Sequence, residues 1–171
     1  LGFVPNVMDH LHGSTAIAGI AQCNSDSFPA VYRGNTFGGN VMTSRINRNS
    51  LIEKGSTIRA QEEPDFLIAG DSWFRPVDII FGPDGAMYVA DFYNKIIGHY
   101  EVPLPHPGRD RFRGRVWKIS YKHDANRRDA IATPATASQS KLAITSLTPE
   151  QLVAQFDIDN LSRRMLIADR L

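Results

Sequence analysis

The sequence predicts a mainly β fold: two four-stranded antiparallel units, each built like one blade of an incomplete β-propeller, then a short C-terminal α-helical hairpin. Three observations carry this expectation. Short runs rich in β-branched and aromatic residues recur from Thr15 to Tyr121, punctuated by Gly, Pro, Asn and Asp. Two sets of four such runs repeat one plan at roughly 50 to 60 residues, with inner runs apolar and outer runs mixed. After Thr148 the signals change to those of helices.

In the first unit, Thr15 to Ala21 is a nearly continuous apolar run and reads as an inner strand buried on both faces. Thr36 to Gly38 and Val41 to Asn47 read as a hairpin, with Asn35, Gly38, Gly39 and Asn40 supplying turn chemistry. Asn47-Arg48-Asn49 suits either a ligand-facing strand end or ordinary solvated and capping roles. Thr57 to Glu62 alternates in polarity and is closed by Pro64, as an edge strand would be.

The second unit is organised around Trp73 to Asn94, WFRPVDIIFGPDGAMYVADFYN. Pro83 presets one turn angle and Gly85 tolerates positive φ, so the runs Val77 to Phe81 and Ala86 to Asp91 should form a hairpin. Antiparallel pairing then brings Arg75 and Asp78 beside Asp91, Tyr93 and Asn94, which makes that end of the hairpin the candidate site. The same residues also suit a buried ionic cluster tying neighbouring units together. Ile96 to Val102 is the expected third strand. Arg115 to Tyr121 is the fourth, with Trp117, Ile119 and Tyr121 on a buried face. Between them, Pro103 to Gly114 carries three alternating prolines and then arginines. It reads as a stiff loop docking on acidic or aromatic neighbours, or as an insertion held by local Arg–Asp pairs.

Residues 1–122 therefore read as the blades, 123–146 as a linker rich in Ala, Thr, Ser and Gln, and 147–171 as a helical unit. Thr148 is placed as N-cap, Pro149 at the first helical position and Gln151 to complete a capping box. Leu152, Val153 and Phe156 form one apolar stripe, and Leu161, Met165, Ala168 and Leu171 a second, like the start of a HEAT-like repeat. The chain begins at Leu1 and ends within that second helix, so it reads as a piece of a longer polypeptide.

Composition narrows the function. Nineteen Lys and Arg against eighteen Asp and Glu leave the chain almost neutral, which argues against nucleic acid as a partner. Cys23 is the only cysteine, so an internal disulfide, a Cys-based zinc site and a haem attachment motif are excluded within the chain. No transmembrane run is present in the sequence. His10 and His12, two residues apart, share a face if extended. They bind a metal only with a third ligand, so no metal site is assigned.

The run FRPVDIIFGPDGAMYVADFYNKIIGHYEVPLPHPGRDRFRGRVWKISYK, with HGSTAIAG, FPAVYRGNTFGGNVMTSRINR and EEPDFL before it, resembles the putative membrane-bound dehydrogenase domain of multidomain bacterial proteins. That family is similar to the glucose and sorbosone dehydrogenases, quinoprotein-type β-propellers. The resemblance covers His12 to Lys122 and implies an oxidoreductase that removes a hydride from a sugar or polyol hydroxyl. Pyrroloquinoline quinone and calcium would be its cofactors and a c-type cytochrome its electron acceptor. It also implies a periplasmic or extracellular, membrane-associated setting and continuation into HEAT repeats. On that basis Arg75, Asp78, Asp91 and Asn94 are the expected cofactor-binding residues, with Arg75 as a carboxylate clamp. His12 is the first choice of catalytic base and His99 the second. The competing expectation is a non-catalytic propeller that binds a glycan or a protein.

Overall fold

The computed structural model describes residues 6–14, 16–98, 102–122 and 144–171. Two antiparallel sheets dominate it. The first runs in sequence order through β1 (Ile17–Gln22), β2 (Thr36–Asn40), β3 (Arg45–Lys54) and β4 (Thr57–Ile68); the second through β5 (Pro76–Phe81), β6 (Met87–Asp91) and β7 (Arg115–Ile119). The expected third strand of the second unit is not formed by the described residues Ile96–Gly98 and Val102. β7 pairs directly with β6, Val89 opposite Trp117, so that sheet has three strands. Lys95 and Ile96 instead donate their amides to the Gly108 carbonyl, which ties this segment to the proline-rich loop rather than to a ladder.

The core lies where the sheets meet. Phe37 and Ile46 from the first sheet pack with Ile79, Met87 and Val89 from the second and with Cys23, Phe28 and Phe74 from the connections. Rings of Phe28, Phe37, Phe66 and Phe81 meet edge-on or tilted at 5.0 to 6.2 Å between centroids, the arrangement that aromatic quadrupoles favour. Burial pushes the Cys23 thiol up, so the lone cysteine is an inert core side chain.

Two glycines read as turn or strand filler let the sheets approach this closely. Gly39 sits inside β2, opposite Ile46, and not in the turn, which falls at Val41–Ser44. A Cβ there would stand 2.3 Å from the Pro76 carbonyl oxygen. Gly19, at φ +59° in the β1 bulge, faces Asp78 in the same way, at 2.5 Å from its Cα. Backbone thus packs on backbone where β1 and β2 meet β5, and β1 is not buried on both faces: Ile20 is 71% exposed.

Pro64 does not end β4. It lies in a bulge, between Glu63 opposite Arg48 and Leu67 opposite Ile46, where it has no ladder partner on β3 and a missing N–H removes no bond of that ladder. β7 is wetter than alternation implies, with Val116 73% and Trp117 45% exposed.

Beyond the sheets, α1 (Pro149–Val153) begins with the expected capping box on Thr148 and Gln151, and α2 (Leu161–Ala168) is capped by Asn160. The buried residues of these helices are Leu152 and Ile167; Leu161, Met165 and Leu171 of the expected stripe are exposed. The reason is polar anchoring at the helix start. Asn160 Nδ2 donates to the Pro83 carbonyl, the Ser162 hydroxyl to Phe81, and the Leu161 amide to Asn24. These bonds fix the start of the helix, whose buried side chain is Ile167. None of the described helices is long and apolar enough to cross a membrane. Of the 123–146 segment, 123–143 lies outside the described residues and Ile144–Ser146 forms a 3-10 turn.

If the sheets meet through bare backbone, Gly39→Ala should cost about 1–3 kcal/mol in urea unfolding. Gly70→Ala, with open space around it, should be near neutral. Equal midpoints for the two variants would contradict the close approach.

Candidate functional site

The hairpin β5–β6 gathers most of the predicted residues. Its bulge between Pro76 and Asp78 pairs Pro76 with Asp91 and aims the preceding Arg75 inward. Arg75 is 9% exposed, and its guanidinium reaches both sheets. Nε donates to the Asn94 carbonyl at 2.7 Å and Nη2 to the Lys95 carbonyl at 2.6 Å. Nη1 donates to the Val41 carbonyl at 2.8 Å and the Ser44 hydroxyl at 2.9 Å, in the β2–β3 turn. Burial pulls this guanidinium below its ordinary value and the nearby Asp91 charge partly offsets that; arginine still keeps its charge.

Asp91 is equally committed. Oδ1 accepts the Arg75 and Tyr93 amides at 2.8 and 2.9 Å, and Oδ2 accepts Arg115 Nε at 2.7 Å and Trp117 Nε1 at 2.9 Å. Asn94, 2% exposed, donates to the Phe92 and Asp110 carbonyls and accepts the Asp110 amide. Asp78 stays apart: it is exposed, and its Oδ1 accepts the Ile79 amide. Tyr93, held at φ +54° by the Asp91 bond, stacks on Trp73 at 5.1 Å and carries Arg115 over its other face at 4.2 Å. Ser44, at φ +56°, is held by Arg75 through its hydroxyl and by the Ala69 amide on its carbonyl. Two left-handed non-glycine residues thus flank one arginine, a conformation kept only where surroundings enforce it.

A second polar group forms at the N-terminal segment. Nε2 of His10 and of His12 lie 2.7 and 3.1 Å from Asn49 Oδ1, with the rings edge-on at 4.8 Å. His12 Nδ1 is 3.4 Å from a Glu62 oxygen, and the His12 side chain is 4% exposed. Both His12 nitrogens face acceptors, so the neutral ring satisfies one and the imidazolium both. The Asn40 amide donates to the His12 carbonyl and to Asn47, Asn47 donates to Asp65, and Asp65 accepts Arg45. Asn40 and Asn47 are thus a buried polar ladder, neither ligand-facing nor solvated. Its members are scattered over three strands, and only register brings them together. His99 lies outside the described residues.

Arg75 has its fork on protein oxygens, both Asp91 oxygens are taken, and no group of three or more His, Cys, Asp or Glu could hold a metal ion among the described residues. What these residues do chemically is brace one sheet against the other.

A mainly β chain of two antiparallel sheets, locked by a buried arginine, is thus the class defined by fold and site. Residues 3–123 match the family described as Domain of unknown function (DUF7133), and the chain belongs to that family. No curated protein and no solved structure matches it.

Truncation of the brace should be severe. Arg75→Ala leaves the Val41, Asn94 and Lys95 carbonyls and the Ser44 hydroxyl without their donor, an expected loss of roughly 2–4 kcal/mol in denaturant unfolding. A loss below about 1 kcal/mol, within the ordinary range of surface changes, would contradict the assignment.

Acid should weaken the second sheet and its loops. The Trp73 amide and Arg115 hold the Asp71 carboxyl below its ordinary 3.8. For Asp110 the Phe112 amide leads, with Arg113. Asp84 is raised by burial but brought below its usual value by Lys118, Tyr88 and the Ala86 amide. The folded chain binds these protons less tightly than the unfolded one. Their contribution is complete at neutral pH and is lost as pH falls below about 4 and through the depressed folded values. Melting temperature should therefore drop in that window, and less steeply in Asp71→Asn.

Proposed function

We propose that the two sheets are neighbouring blades of a quinoprotein-like β-propeller dehydrogenase acting on a sugar or polyol hydroxyl. The observation that carries this reading is the contact of β1 and β2 with β5. The first strands of two successive meanders lie side by side, as inner strands of adjacent blades do around a shared axis. In this reading Arg75, Asp91 and Asn94 are framework, and the redox cofactor is held by other residues. His12 is the proton acceptor: Glu62 stands at Nδ1 to stabilise the ring cation, and Nε2, now against Asn49, would take the hydroxyl proton once the Asn49 side chain swings aside. The helices after Thr148 open a HEAT-like repeat, and electrons leave to a c-type cytochrome outside the cytoplasm.

A non-catalytic propeller that binds a glycan or protein is the second reading, favoured by the complete internal use of Arg75 and Asp91. Dye-coupled oxidation of sugars and polyols by the longest natural polypeptide carrying this chain separates the two, run with and without pyrroloquinoline quinone and calcium. Quinone-dependent turnover that falls about 10²–10⁴-fold in His12→Gln is expected. No turnover and no quinone binding by the folded protein would leave the binding propeller.

A further inference from the structure

We propose that the cleft between Phe92 and the Leu104–Arg113 loop binds an acidic saccharide, a sugar chain bearing carboxylates. This goes beyond the reading above, since it requires neither a closed ring of blades nor an oxidation. The cleft holds about 480 Å³, within the range of small-ligand sites. Phe92, Leu104 and Phe112 supply apolar walls and Arg109, Arg111 and Arg113 supply guanidinium groups.

The loop that presents these groups is built, not slack. Asp110 accepts the Phe112 and Arg113 amides at 2.9 and 2.8 Å and Arg113 Nε at 2.6 Å, closing a tight turn. Buried Asn94, just after β6, grips the Asp110 main chain through both its amide and its carbonyl. Arg109 Nη2 donates to the Gly98 and Val102 carbonyls and spans the loop's base. On this frame Phe112 stands 93% exposed, with Leu104 at 64% and Phe92 at 51%. Three large apolar side chains held out in water around one cleft mark a surface that a ligand covers.

Charge selects the ligand. Arg109 is tied into the base of the loop, and Arg113 is paired with Asp110, whose two oxygens are both engaged. Arg111 is exposed and has no acceptor among the described residues, so its fork is open to a carboxylate in the bidentate geometry that guanidinium favours. Phe92 and Phe112, exposed in the same lining, offer apolar ring surface to the C–H faces of sugars. One guanidinium next to two rings is the chemistry of a uronate chain.

Calorimetric titration of the full chain with oligogalacturonate tests this, against a neutral malto-oligosaccharide of equal length and against polyglutamate, at physiological salt. Oligogalacturonate should bind, and the neutral sugar about tenfold or more weaker. Arg111→Ala and Phe112→Ala should each weaken binding about five- to tenfold at unchanged melting temperature, because both side chains are exposed. Absence of binding, equal binding of polyglutamate, or affinity indifferent to both substitutions would overturn the proposal.

Discussion

A guanidinium buried without a carboxylate directly on it must find oxygen elsewhere, and Arg75 finds it on two sheets at once. Two of its main-chain acceptors belong to the segment after β6, while another main-chain carbonyl and a hydroxyl come from the turn between β2 and β3. A charged donor left unpaired in that setting would cost several kcal/mol, so the turn and the segment have to stay where the fork can reach them. The positive φ of Ser44 and Tyr93 follows from this demand. Ser44 turns to offer its hydroxyl to Arg75, and the Tyr93 amide closes on Asp91, the same carboxylate that accepts the Arg75 amide.

The rest of the architecture is arranged to let that bracket close. Gly39 and Gly19 bring the first sheet onto β5 with no side chain between them, and the aromatic core fills the wedge that opens on the far side of that contact. Beyond β6 the network continues outward. Asp91 hands its second oxygen to Arg115 and Trp117 on β7, Arg115 lies over Tyr93, and Asn94 fixes the proline-rich loop. A single polar chain therefore runs from the β2–β3 turn to the rim of the arginine-lined cleft. Asn94, at the end of that chain, holds the Asp110 main chain in the loop that lines the cleft.

Hairpins and helix starts were legible because their signals are local. The Pro83-Asp84-Gly85 turn and the Thr148 capping box depend on a few neighbouring residues, and Gly85 does adopt φ +77°. So was the gathering of Arg75, Asp91 and Asn94, since antiparallel pairing alone brings their backbones together. What the pattern could not reveal is what stands opposite. Gly39 looks like a turn residue until Pro76 is placed against it, and Arg75 looks like a free fork until the Val41 carbonyl arrives from another sheet. Asp78 has the right spacing, but the bulge at Val77 turns it out to solvent. Among the described residues of the run from Ile96 to Val102 no strand forms, and the Gly108 carbonyl captures the Lys95 and Ile96 amides, a contact set by a loop of no fixed period. The stripe on α2 failed because polar bonds at its first turn, not hydrophobicity, anchor the helix.

Native-state hydrogen exchange on the wild-type chain measures the central claim, that the Arg75 bracket makes the two sheets one cooperative unit. The most protected amides of β2 and β3 and those of β5 and β6 should exchange with one common opening free energy and one common denaturant dependence. Two separate values, with one sheet opening while the other stays closed, would show that the sheets fold independently and that the arginine merely decorates their junction.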